Sequence, residues 1–146
     1  MTSNEREMLE DRLRVNLQAQ SDELRQLLES ASDHWGYEDP IYRFYHQSFK
    51  VYPLTESTTR IVTALQRLLP DQPLNPWFLQ IVGEGTGKEF QIDDNQRWLE
   101  ATRPILEAFF HARYFLEMAC RYAKAPEKDR PMPSGWAALL YLFNLR

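Results

Sequence analysis

The chain of 146 residues has a single cysteine, Cys120, so no internal disulfide can form and the fold must rest on its core. A lone thiol suits a reducing compartment, and a cytoplasmic location is expected. Glycine is scarce as well, at five residues, which argues against a linker-rich or disordered chain. Long hydrophobic runs are missing. The apolar stretch Trp136–Phe143 falls far short of the roughly 20 residues a membrane helix needs. The opening MTSNEREMLED is charged and lacks an apolar core, so no secretory signal is expected. An excess of positive charge is absent too. The formal net charge is −4, and residues 1–33 carry all of it, with four Arg against eight Asp/Glu. Phosphate binding needs Lys and Arg in excess on one face, so nucleic acid is not an expected partner.

Aromatic residues are unevenly placed. Residues 1–33 hold none, whereas the 19 residues His34–Tyr52 hold seven, together with two of the three histidines. Asp39-Pro40 is a helix start, an Asp cap followed by Pro at the first helical position. The spacing predicts a helix over 40–52, stopped by Pro53. On a helical wheel Val51, Phe44, Ser48, Ile41, Tyr52, Tyr45, Phe49 and Tyr42 fill one continuous half, and His46 lies at its edge beside Tyr42.

The remaining segments also read as helices. Residues 4–31 form one long amphipathic stretch. Leu13, Leu17, Gln20, Leu24, Leu27 and Ala31 make a heptad-like stripe that either packs on the rest of the bundle or serves as a dimerisation seam. A helix over 55–69 places Ile61, Leu65 and Leu68 on one face, with Val62 and Leu69 beside them. Asn75-Pro76 opens a short helix through Trp77, Phe78 and Ile81, a β-hairpin flanking the glycine loop being the alternative. Asp93 or Asp94 starts a helical region reaching Lys124, and Pro104 inside it must kink or split it. Its half Ile105–Ala123 is apolar nearly all round except for Arg113, Glu117 and Arg121, which marks a buried central helix. Ser134 caps a last apolar helix over 135–145, either inserted in the bundle or forming half of a subunit interface. The expected fold is all-α, a helical bundle of five to six helices in one domain spanning 1–146.

Two local patterns invite chemistry. Val82-Gly83-Glu84-Gly85-Thr86-Gly87-Lys88 resembles a phosphate loop but has three residues where that motif needs four, and Glu89 replaces the hydroxyl that should meet the metal. The glycines more simply end a helix. The second pattern is the seam between the 40–52 and 105–123 helices. His46, His111 and Glu107 could gather there with Tyr42, Tyr45 and Tyr114 as a small-ligand or metal-binding site, with hydrolysis as one activity such a set could serve. The bland alternative is a buried His111 hydrogen-bonded to Glu107 or a tyrosine. No complete metal or catalytic motif is present, and no cofactor is expected. Cys120 has no histidine within a helical turn in sequence and reads as a small buried apolar residue. The reading of function is a non-catalytic helical protein acting by self-association, as a homodimer or other homo-oligomer, or by binding a protein partner.

Overall fold

The computed structural model describes residues 1–33, 51–86, 95–124 and 135–145. Six helices and no strand occur among them: α1 (Ser3–Ala19), α2 (Ser21–Asp33), α3 (Val51–Leu68), α4 (Pro76–Thr86), α5 (Asn95–Lys124) and α6 (Trp136–Leu142). The fold is all-α, as expected. The expected 40–52 helix lies outside the described residues, apart from its last two positions.

The N-terminal stretch is two helices rather than one. Thr2 caps α1, its hydroxyl accepting from the Glu5 N–H at 3.2 Å. The chain leaves helical geometry at Gln20 (φ −104°, ψ 10°), where Ser21-Asp22-Glu23 supplies a second start signal with an acidic first turn. The break is slight. The Gln20 N–H still reaches the Asn16 carbonyl at 2.9 Å, and the Leu24 N–H reaches the Gln20 carbonyl at 3.0 Å. Leu13, Leu17, Leu24 and Ala31 therefore stay on one side and are buried in the chain's own core, with Leu9, Leu27 and Leu28 packed at its margin.

Pro53 does not end a helix at residue 52. Val51 and Tyr52 belong to α3, which continues through Pro53, whose fixed φ of about −65° is compatible with helical backbone. Along α3, Leu54, Ile61, Leu65 and Leu68 are buried, as is Leu69 just beyond it, while Val62 is partly buried. The end of the helix is braced from outside: the Asn16 amide donates to the Leu68 carbonyl at 2.6 Å.

The helix at Asn75-Pro76 forms as the sequence predicts. Asn75 Oδ1 accepts from the Trp77 N–H at 2.9 Å, the bond of an N-cap. FLQIV is helical, not a hairpin strand, and EFQI lies outside the described residues. The glycines Gly83 and Gly85 do not end α4 but lie inside it. Gly85 is there for space. A Cβ at that position would collide with Ala108 Cβ and come within 2.7 Å of the Pro104 carbonyl oxygen, so its absence lets α4 lie directly on α5. With that stretch helical, the phosphate-loop resemblance has no structural counterpart among the described residues.

Helix α5 is the axis of the fold and touches each of the other five described helices. It continues through Pro104 without splitting. Ile105, Ala108, Phe109, Ala112, Leu116 and Ala119 are buried along it, with Tyr122 near its end. It is not enclosed on every side, however. Glu107, Phe110 and Tyr114 are exposed on one flank, because five neighbours cover less than its full circumference.

The last helix is inserted in the bundle, with Trp136, Leu139, Leu142, Phe143 and Leu145 buried. It runs from Trp136 to Leu142, and Gly135 at φ 104° holds the N-cap position, while Ser134 lies outside the described residues. Its C-terminus closes by a Schellman motif. Asn144 takes the left-handed conformation (φ 55°), its N–H reaches the Tyr141 carbonyl at 3.1 Å, and the Leu145 N–H reaches the Leu140 carbonyl at 2.8 Å. The loop before α4 satisfies further carbonyls: the Asn75 N–H bonds to Leu142 O at 2.7 Å and the Gln72 amide to Phe143 O at 2.9 Å. The Asn75 amide also donates to Tyr141 O at 3.3 Å and to Asn144 Oδ1 at 3.2 Å. One buried asparagine thus caps the start of α4 and ties down the end of α6.

Candidate functional site

Trp77 is the second residue of α4. Its cap bond directs the backbone so that Phe78 enters the core and Trp77 stays 44% exposed. Across from it on α5, the ring of His111 meets the Trp77 ring at 5.0 Å between centroids and 82° between planes. From α6, Tyr141 meets Trp77 at 6.2 Å and 64°, and is itself 44% exposed. In α6 the residues Trp136, Leu139 and Leu142 face inward, and Tyr141, two positions from Leu139, faces outward. Tyr114, one turn beyond His111 on α5, is 49% exposed.

These rings rest on a rigid base. Tyr114 contacts Phe115 at 5.3 Å, and Phe115 contacts buried Phe78 at 5.1 Å, both edge to face. Tyr114 is thus joined to core aromatics from the same two helices. Three elements contribute to it, and the Asn75 bonds fix two of them relative to each other. Contacts of this geometry contribute roughly 0.5–1.5 kcal/mol each beyond the area they bury.

The residues expected to form a seam divide as follows. His111, Glu107 and Tyr114 lie on the outward flank of α5, while His46, Tyr42 and Tyr45 lie outside the described residues. His111 is half-buried, not enclosed in the core, and its neighbour is an indole rather than a carboxylate. Glu107 points into solvent and makes no hydrogen bond to His111. Among the described residues no group of three His, Cys, Asp or Glu side chains could hold a metal. The sequence reading did not single out Trp77 or Tyr141. The signals that could have found them are the position of Trp77 just after a cap-plus-Pro start and the inward spacing of Trp136, Leu139 and Leu142, which leaves Tyr141 on the other face.

Two further features involve α5. The predicted ion-pair strip is present: Glu117 pairs with Arg113 at 3.5 Å and with Arg121 at 3.1 Å. On α5 and α6, Tyr122 stacks on Trp136 (4.6 Å, 28°), and the Arg14 guanidinium of α1 lies 4.8 Å from the centre of that indole, a cation–π contact. Cys120 is buried nearby. Burial pushes its thiol up to about 11, an effect that Glu117 reinforces and Lys124 opposes. A thiol so held is protonated and unreactive at neutral pH.

No protein-family model, curated protein or solved structure matches this chain. No helix among the described residues is long and apolar enough to cross a membrane.

Proposed function

We propose that this protein is a non-catalytic binding module and that it engages a protein partner through the Trp77–His111–Tyr141–Tyr114 face. The observation that carries this reading is the placement of two half-exposed rings, Trp77 and Tyr141, in mutual contact on a base of fixed helices. Large amphipathic rings exposed on a rigid scaffold are costly to leave in water and are the residues that dominate protein–protein binding energy. Their polar edges hydrogen-bond, and their faces bury large areas with little loss of side-chain freedom. A catalytic reading lacks such support: Cys120 is protonated and buried, and Glu107 and His111 do not act on each other.

The test compares affinity capture by the wild type and by Trp77→Ala/Tyr141→Ala. Both side chains are half exposed, so the variant should keep its helical circular dichroism and lose no more than a few degrees of melting temperature. A partner recovered specifically by the wild type, and at least tenfold depleted with the variant, supports the proposal. Equal recovery of the same proteins by both would sink it.

A further inference from the structure

Helix α1 has a second apolar line that the core does not use. Met8 and Val15, seven residues apart, fall within about 20° of each other on the wheel, on the side opposite buried Leu17, and exposed Met1 precedes the Thr2 cap at the same end of the helix. They are among the most exposed large hydrophobic residues of the described chain, Met8 at 64% and Val15 at 66%. One border of this line carries Glu5 and Arg12. Unlike Arg6–Glu10 and Asp11–Arg14 on the same helix, the Glu5 and Arg12 side chains form no ion pair among the described residues.

We infer that this face of α1 docks on the same face of a second copy, with the two helices antiparallel. The two-fold pairing follows from the sequence numbers. Centred on Met8, an antiparallel pair sets Met8 on Met8 and brings Val15 of each copy to the N-terminal end of the other's α1, which Met1 precedes. The same register places Glu5 of each copy against Arg12 of the other, because in antiparallel pairs the same border of each helix meets. Each of these charges gains one partner, giving two Glu5–Arg12 pairs across the axis. A parallel pair would instead turn Glu5 toward the opposite border, which carries Asn4 and Asp11 and offers it no cation. The leucine stripe cannot be this interface, because Leu13, Leu17 and Leu24 are buried within the chain. The contact is small and should be a reversible, weak dimer. It uses a surface distinct from the aromatic face, and a dimer joined through α1 would offer that face twice.

Sedimentation equilibrium over a concentration series tests this on the full chain. The wild type should show a monomer–dimer equilibrium. Met8→Glu should abolish it, since two carboxylates would meet on the axis. Arg12→Glu should weaken it roughly tenfold by setting like charges together twice, and Glu5→Arg/Arg12→Glu should restore it. All three positions are exposed, and unchanged circular dichroism will show that folding is intact. A wild type that stays monomeric at millimolar concentration overturns the inference. So does a dimer indifferent to Met8→Glu, or an Arg12→Glu defect that Glu5→Arg does not rescue. Loss of the dimer in Trp77→Ala/Tyr141→Ala but not in Met8→Glu would move self-association to the aromatic face instead.

Discussion

Two glycines only two residues apart along α4, about 3 Å in rise, have opposite roles. Nothing lies within 4 Å of a Cβ built at Gly83, so that glycine only weakens its helix. Gly83→Ala should raise stability by about 0.5–1 kcal/mol. Gly85→Ala should instead cost roughly 1–3 kcal/mol, because Ala108 and the Pro104 backbone must move aside. Urea denaturation of the two variants measures both, and an equal effect at the two sites would contradict the packing described. Cys120 offers a second test. Its pKa is raised in the folded state from 9.0 to about 11, so the protonated form favours folding and its contribution is complete below about pH 9. It is lost as pH rises towards 11, where the unfolded chain has already ionised. Relative to Cys120→Ala, the wild type should lose stability across that window and not below it. A thiol reagent at pH 8 should label the native protein far more slowly than the denatured one.

At the scale of elements, Asn75 joins the start of α4 to the end of α6. Asn75→Ala removes a cap and two side-chain bonds and should cost about 2 kcal/mol, seen as a lower urea midpoint with an unchanged slope. Gln72→Ala, which removes one bond to Phe143 O, should cost less, about 1 kcal/mol. This is also where sequence and structure part. The Asn75-Pro76 start, the Ile61–Leu65–Leu68 face and the Arg113–Glu117–Arg121 strip are legible because each follows from contacts within one helix. The break at Gln20, the continuation of α3 back through Pro53 and the glycines inside α4 are not. Each depends on neighbours: Gly85 reads as a helix terminator until Ala108 is seen against it. Glu107, His111 and Tyr114 share one flank of α5, but sequence could not tell that this flank faces solvent and that an indole from α4 adjoins His111.

Across the whole molecule, the core unites residues from all six described helices, so a loss in any of them should be felt throughout. Leu17→Ala in α1 and Leu139→Ala in α6 should each cost roughly 2–5 kcal/mol and lower one shared transition rather than melt a single helix. Coincident circular dichroism and fluorescence melts would bear this out, whereas two separated transitions would show that α1 and α2 fold apart from the rest. Arg14 adds a link of another kind, its guanidinium on Trp136 joining α1 to α6. Replacing it with Ala should cost about 1 kcal/mol through lost packing and cation–π attraction.

What sequence alone determined is the helical character, the amphipathic faces and most helix starts. These follow from periodicity, caps and prolines, which act over one or two turns. It also indicated the inert setting of Cys120. Tertiary structure decided which apolar face of each helix meets another. It spent the leucine stripe of α1 and α2 on the core, set Gly85 under α5, and brought Trp77, His111 and Tyr141 together from three helices. Those outcomes depend on the volume and approach of side chains distant in sequence. A residue's own periodicity shows that it lies on a face, but not what that face will touch.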